Sequence, residues 1–279
     1  MRLPDWLKNI NKASDASHNL KKDLRAMGLH TVCEEARCPN LGECFKKGTA
    51  TFMIMGNVCT RSCKFCAVNS GVPAPLDQSE PYKIAEQVLK LKLKHVVITS
   101  VTRDDLKDGG ASCFALTIEE IKKGAPQTTI EVLTPDFGGR IKDLETVIQA
   151  GPYILNHNVE TVVRLTPQIR DPKASYQLSI NVLKMVSKLR CTKIKSGFML
   201  GLGETKQEVK ATIKDLKDAG CDIITIGQYL MPSKAAIPVK EYIHPQEFEE
   251  YAAYGRNIGV EHMFCGPLVR SSYMAEKIL

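Results

Sequence analysis

The stretch TFMIMG (Thr51–Gly56) runs directly into NVCTRSCKFC (Asn57–Cys66). The first six residues form a short, largely apolar run closed by a glycine, and they read as a buried strand. The next ten carry Cys59, Cys63 and Cys66, spaced C-x3-C-x2-C. A strand that delivers three thiols into a loop is the unit on which the rest of the chain is read.

Further strand-like runs follow: His95–Val101, Thr129–Thr134, Tyr153–Asn156, Lys195–Leu200 and Asp222–Gly227. Helical apolar spacing predicts helices at Pro81–Lys92, Ile141–Ala150, Ser175–Leu189, Glu204–Ala219 (stopped by Gly220) and Pro245–Gly259. Strands alternating with helices imply a parallel sheet with helical crossovers. That pattern alone leaves an open sheet and a barrel as alternatives. Polar or glycine-rich segments, at Asn57–Cys66, Thr102–Ala111, His157–Thr161 and Gly201–Thr205, follow the strands. They place a site at the C-terminal ends, as in a barrel.

Ten cysteines stand in 279 residues, and six of them lie between Cys33 and Cys66. The N-terminal MRLPDWLKNINKASD (Met1–Asp15) has no apolar core of a secretory signal, so the cluster reads as metal or redox chemistry rather than a disulfide framework. No apolar run approaches the roughly twenty residues that a membrane-spanning helix needs. The charge excess of 38 − 31 = +7 favours an acidic partner. Aromatic residues are only 6%, and no basic stripe interleaves them, which argues against nucleic acid.

Three thiolates can bind three irons of a cubane cluster and leave the fourth iron open to a substrate. The competing reading is a structural zinc loop, which needs four ligands, usually in C-x2-C pairs. A second triplet, Cys33, Cys38 and Cys44, is spaced C-x4-C-x5-C and holds Pro39 and Gly42, suiting a loop wrapped around a second cluster. Reduced, unliganded cysteines are the alternative there. Gly109-Gly110 reads as a turn. The scattered Cys113, Cys191, Cys221 and Cys265 are expected to be buried and inert, and His157 to be a packing or hydrogen-bonding residue.

The C-x3-C-x2-C segment resembles the radical S-adenosylmethionine superfamily. Within it, the chain is similar to the lipoyl synthase family from about Pro4 to Tyr273. The likeness rests on LHTVCEEARCPNLGECF, GTATFMIMGNVCTRSCKFCAV, SVTRDDLKDGGA, NHNVETV, KSGFMLGLGET, CDIITIGQYLMPS and GPLVRSSY. Val159, Thr166 and Met274 depart from residues common in the family, and none is a predicted ligand.

The resemblance implies an α/β fold, a partial (β/α)6 TIM-type barrel with N-terminal and C-terminal extensions carrying an auxiliary cluster. The expected division is an N-terminal extension at 1–50, the barrel at 51–260 and a C-terminal tail at 261–279. It implies two [4Fe-4S] clusters. Cys59, Cys63 and Cys66 would hold the one that cleaves S-adenosylmethionine. Cys33, Cys38, Cys44 and a serine of the RSSY tail, Ser272 with Ser271 as fallback, would hold the one that donates sulfur. Gly109 and Gly110 would cradle the methionine amino group, Asn158 and Glu160 the ribose, and Lys195 the carboxylate.

The implied reaction inserts two sulfur atoms, at C6 and then C8, into a protein-bound octanoyl-lysine. The implied substrates are the carrier domains of 2-oxoacid dehydrogenases or of the glycine cleavage system, and the implied electron donor is ferredoxin or flavodoxin. A cytoplasmic monomer that uses neither nucleic acid nor membrane completes the expectation. A biotin synthase-type enzyme is disfavoured because it lacks the Cys33/Cys38/Cys44 triplet and the serine tail. A sensor without catalysis is separated by its inability to cleave S-adenosylmethionine.

Overall fold

The computed structural model describes residues 2–8, 22, 24, 27–35, 49–189 and 192–272. Its strands are β1 (His30–Thr31), β2 (Thr49–Ile54), β3 (Val58–Cys59), β4 (Asn69–Ser70), β5 (His95–Ser100), β6 (Thr129–Leu133), β7 (Ile154–Asn156), β8 (Lys193–Leu200), β9 (Ile223–Gln228) and β10 (His262–Gly266). Eight of them form one sheet in the order β1-β2-β5-β6-β7-β8-β9-β10. Strand β1 runs antiparallel to β2, and every other pairing in that sheet is parallel. Strands β3 and β4 form a separate parallel pair beside the cysteine loop.

Between β2 and β10 the chain makes six crossovers. Their main helices are Glu80–Lys90, Ala111–Gly124, Ile141–Gln149, Tyr176–Leu189, Lys206–Asp218 and Pro245–Asn257. This is the partial barrel: six strand–helix units, then a seventh parallel strand. All six expected strands form. Strand β10 falls in the segment expected to be tail, because HMFCG shows no strong alternation by itself. Its register along β9, from His262 opposite Ile223 to Gly266 opposite Gly227, makes it a strand. Five helices lie within a few residues of their expected bounds. The sixth, Ala111–Gly124, is not among the expected helices. Its Ala111, Phe114, Ala115, Ile118 and Ile121 are buried at helical spacing.

Local sequence explains the element ends. The Thr205 hydroxyl accepts the Glu208 N–H at 3.3 Å, and the Glu208 carboxylate accepts the Thr205 N–H at 2.8 Å. This capping box starts the helix Lys206–Asp218. Gly220, at φ 91°, follows its C-cap and ends it.

Side chains alternate across the strands. Val96, Ile98, Ile130, Val132, Leu155, Ile194, Ile224 and Ile226 face the helices and form the main core. The opposite face mixes buried apolar residues, Val97, Ile154 and Ile223, with polar ones. His95, Glu131, Asn156 and Lys195 are each no more than 1% exposed. The Glu131 carboxylate accepts Lys195 Nζ at 3.0 Å and Asn156 Nδ2 at 3.1 Å, and His95 Nδ1 lies 2.8 Å from Thr129 Oγ1. Burial pushes the Glu131 carboxyl upward, but Lys195 and His95 outweigh it and hold it below the ordinary range. Removing one partner of such a pair strands a buried charge. Lys195→Met is therefore expected to cost about 3–5 kcal/mol in urea denaturation. Combining it with Glu131→Leu should recover much of that loss.

Candidate radical site

The C-terminal ends of the parallel strands carry the site. After β2 the chain turns through Met55, at φ 68° for a non-glycine residue, and Gly56. Met55 N–H donates to the buried Glu80 carboxylate at 2.7 Å. The cysteine loop begins there and is strapped to three neighbouring loops. Arg61 reaches between two carboxylates. Its Nε and Nη2 donate to Asp104 at 3.0 and 2.9 Å, and its Nη1 and Nη2 donate to Asp136 at 2.5 and 2.8 Å. Asp104 lies on the loop after β5 and Asp136 on the loop after β6. Thr60 N–H donates to the Thr102 carbonyl at 3.0 Å. Ser62 N–H donates to Asp171 Oδ2 at 2.9 Å, and Lys64 N–H donates to the Ile169 carbonyl at 2.8 Å.

Strapping aims the thiols and gives each sulfur a hydrogen-bond donor. Cys59 Sγ accepts the Arg61 and Thr102 N–H groups at 3.4 and 3.3 Å. Cys63 Sγ accepts the Asp171 N–H at 3.3 Å, and Cys66 Sγ accepts the Val68 N–H at 3.4 Å. None of the three is in a disulfide. Such donors favour thiolate, against the burial that pushes the Cys63 thiol up. Among the described residues no group of His, Cys, Asp and Glu closes on a single metal ion. The three thiols instead line a cavity of about 240 Å³. This donor set suits a multi-iron body with one iron left open.

The same cavity is lined by Asp136, His157, Asn158, Glu160 and Arg170. Two of these carry buried polar atoms with no partner, Asn158 Oδ1 and Arg170 Nε. One acceptor and one cationic donor beside the thiols suit a small zwitterionic ligand such as S-adenosylmethionine. Glu160 sits at φ 68°, and burial raises its carboxyl above the ordinary range against the opposing pull of Arg170 and Asn158. His157 Nδ1–H donates to the Thr134 carbonyl, and its Nε2 accepts the Ser179 hydroxyl, both at 2.9 Å. Burial and Arg170 bring it down to about 4. It is a neutral hydrogen-bonding residue.

A larger cavity, about 410 Å³, adjoins the first and shares Phe65, Cys66, Asn158 and Glu160 with it. Phe198, Met199, Leu230, Met231 and Val269 make it largely apolar. Ser271 lines it and accepts Asn158 Nδ2 at 2.7 Å, so the serine tail does reach the site. Ser272 follows in a turn.

Other expected residues fall elsewhere. Lys195 lines neither cavity. It lies five residues short of the end of β8, neutralised by Glu131, so it has no charge to spare for a ligand carboxylate. Gly109 and Gly110 also line neither cavity. Gly110, at φ 91°, precedes the helix Ala111–Gly124, and a Cβ there would strike the Met55 thioether. Cys33 lies in the short helix Val32–Glu35, and its side chain is outside what is described. Cys38, Cys44, Cys191 and Tyr273 lie outside the described residues. Burial raises Cys113 and Cys265 to about 12 and Cys221 higher still, as expected of inert thiols. Sequence reasoning missed Arg61, Asp104, Asp136 and Arg170. Arg61 sits inside the cysteine motif, and an arginine there was the available signal.

Residues 53–216 match the radical SAM superfamily model, and residues 1–38 match the N-terminal domain of lipoyl synthase of that family. Solved structures agree on the fold. Methylornithine synthase (PylB) aligns at TM-score 0.57 and 12% identity, over 77% of this chain and 70% of that one. Streptococcus suis SuiB bound to S-adenosylmethionine aligns at TM-score 0.61 and 11% identity, over 91% and 57%. Fold and thiol site together define a radical SAM enzyme. The lipoyl synthase of Caldicellulosiruptor saccharolyticus is 55% identical over 99% of this chain and 97% of its own length. That of Thermus thermophilus is 49% identical, over 99% and 86%. The chain belongs to the lipoyl synthase family. It is thus a sulfur-inserting enzyme of the radical SAM class, using S-adenosylmethionine and two [4Fe-4S] clusters, with a lipoyl carrier protein as substrate.

Arg61 generates a direct prediction. Arg61→Met leaves Asp136, 1% exposed, without its cation, so stability should fall by about 3 kcal/mol. Iron retained by the chain after desalting should fall with it, and Arg61→Lys should restore only part of both. Arg61 outweighs burial and holds the Asp104 and Asp136 carboxyls below their ordinary range. The clamp therefore contributes fully above the unfolded carboxyl value of about 4. It is lost only as pH falls through the lower folded values. Thermal melting from pH 8 to 5 should show no loss in the native chain that is absent in Arg61→Met.

Proposed function

We propose that this chain inserts sulfur at C6 and C8 of an octanoyl group carried on a lysine of a small lipoyl domain. Cys59, Cys63 and Cys66 hold the cluster that binds S-adenosylmethionine. Cys33, Cys38, Cys44 and Ser272 hold the cluster that donates the sulfur. One observation carries the reading: three thiols, each met by a backbone N–H, open onto a cavity that shares Asn158 and Glu160 with the pocket that the serine tail lines.

When bound, the first cluster and S-adenosylmethionine supply a 5′-deoxyadenosyl radical, and the second cluster supplies sulfide. The chain's own residues position and exclude. Arg170, whose Nε is buried without a partner, meets the methionine carboxylate in place of Lys195. Asn158 and Glu160 bind the ribose. Gly109 and Gly110 act one layer back, where Gly110 leaves room for Met55. The apolar walls from Phe198, Met199, Leu230 and Met231 receive the acyl chain and keep water from the radical. No group in the cavity needs to act as a base, and the neutral His157 is consistent with that.

A net charge of +7 suits an acidic carrier domain. The carriers are those of the 2-oxoacid dehydrogenases or the glycine cleavage system, with ferredoxin or flavodoxin as reductant. The enzyme works as a monomer in the cytoplasm. Among the described residues no helix is long and apolar enough to cross a membrane.

Reconstitution without oxygen should give about eight irons per chain. Reductant, S-adenosylmethionine and an octanoyl-lysine peptide should then yield deoxyadenosine and two added sulfurs by mass spectrometry. Cleavage with only about four irons and no thiolation would sink the sulfur-donor cluster. A serine alkoxide is a harder ligand than thiolate, so Ser272 would hold its iron least tightly and make a weak corner of the cluster. Ser272→Cys is expected to keep all the iron yet suppress thiolation; full activity in that variant refutes the weak corner.

A further inference from the structure

The chain leaves β10 at Gly266, turns at Pro267 and Leu268, and returns over the ends of β9 and β7. Two contacts fix it there. Gly227, next to last in β9, faces the tail backbone. A Cβ on it would lie 2.0 Å from the Val269 carbonyl oxygen and 3.2 Å from Arg270 Nη1. No positive φ is involved, so glycine is needed here for room rather than for conformation. Asn158 makes the second contact. Its Nδ2 donates to Ser271 Oγ at 2.7 Å and to Glu160 Oε1 at 3.2 Å. Asn158 is 7% exposed and lines both cavities.

We propose that Gly227 and Asn158 are positioning residues: together they seat the tail and hold Ser271–Ser272 in register with the cofactor cavity. Gly227 admits the tail backbone, and the Asn158 amide fastens the serine segment. One amide nitrogen holds both Ser271 and Glu160, so the tail and the cavity wall are tied through a single side chain. The proposal deepens the function above and rests on a tail serine being a ligand of the second cluster.

The test uses the full chain with its clusters assembled without oxygen, as Gly227→Ala, Asn158→Ala and Ser271→Ala. The first readout is the rate at which trypsin cuts after Arg270, followed by the mass of the released peptide, with thermal melting as the control for global unfolding. Losing one hydrogen bond of about 1 kcal/mol should speed that cut about fivefold in Asn158→Ala and Ser271→Ala, and Gly227→Ala should speed it more. The second readout is the Mössbauer spectrum of the second cluster, recorded with Cys59, Cys63 and Cys66 replaced by alanine. Asn158→Ala, which leaves the tail's own sequence intact, should keep the iron but change the signature of the serine-bound iron.

Unchanged cutting in both Asn158→Ala and Ser271→Ala overturns the seat, even if Gly227→Ala fails to fold. Faster cutting with an unaltered spectrum overturns it too, because the ligand would then not depend on the seat. Only about four irons in the unsubstituted chain would instead overturn the second cluster. The cutting rates would still judge the seat.

Discussion

One guanidinium holds the site in place. The cysteine loop leaves β2 through a strained turn at Met55 and Gly56, and much of what orients it comes from outside its own sequence. Arg61 makes four hydrogen bonds to two carboxylates on two different strand-end loops. The planar fork of arginine suits this task, since lysine offers a point charge with no fixed geometry. Burial opposes the Arg61 charge, but Asp136 and Asp104 outweigh it and raise its pKa above the ordinary value. The ion triad, together with the Thr60, Ser62 and Lys64 backbone hydrogen bonds, ties the thiol loop to the strand-end loops.

The sheet has two faces with different work. The helix-facing side is apolar and close-packed, with Phe52, Ile98, Phe114, Ile118 and Val132 wholly buried, and its burial drives folding. The interior holds Glu131, Lys195, His95 and Asn156 deep in the strands, then Thr99 and Asn158 nearer the rim. A buried ion pair adds little net stability relative to an apolar filling. Its cost is one reason to connect this interior to the polar rim rather than treat it as ordinary core. Lys195 belongs to the deep group, and Arg170 to the rim.

Much of the fold was legible. Strand runs such as HVVITSV and DIITIG are apolar on both faces and too short for helices, and the helices between them show their period. The helix Ala111–Gly124 escaped notice because it begins inside a glycine-rich loop with no side-chain cap. Strand β10 escaped because a short edge strand owes its existence to the partner beside it. Of the site, the cysteine spacing and the serine tail were visible as motifs. The clamp was not, because Asp104 and Asp136 lie 43 and 75 residues from Arg61. No local pattern joins them.

The alternation of strands and helices, the three-thiol loop, the second cysteine triplet and the family these motifs define can all be read from the linear sequence. Those are properties of spacing and composition, which a linear chain carries openly. Which cations are paired inside the fold depends on the three-dimensional arrangement. Lys195 and Arg170 are equally cationic on paper. Folding puts Glu131 3.0 Å from Lys195 and leaves Arg170 Nε buried without a partner beside the thiols. The difference is electrostatic and three-dimensional: a buried charge is neutralised by whatever the sheet register sets next to it.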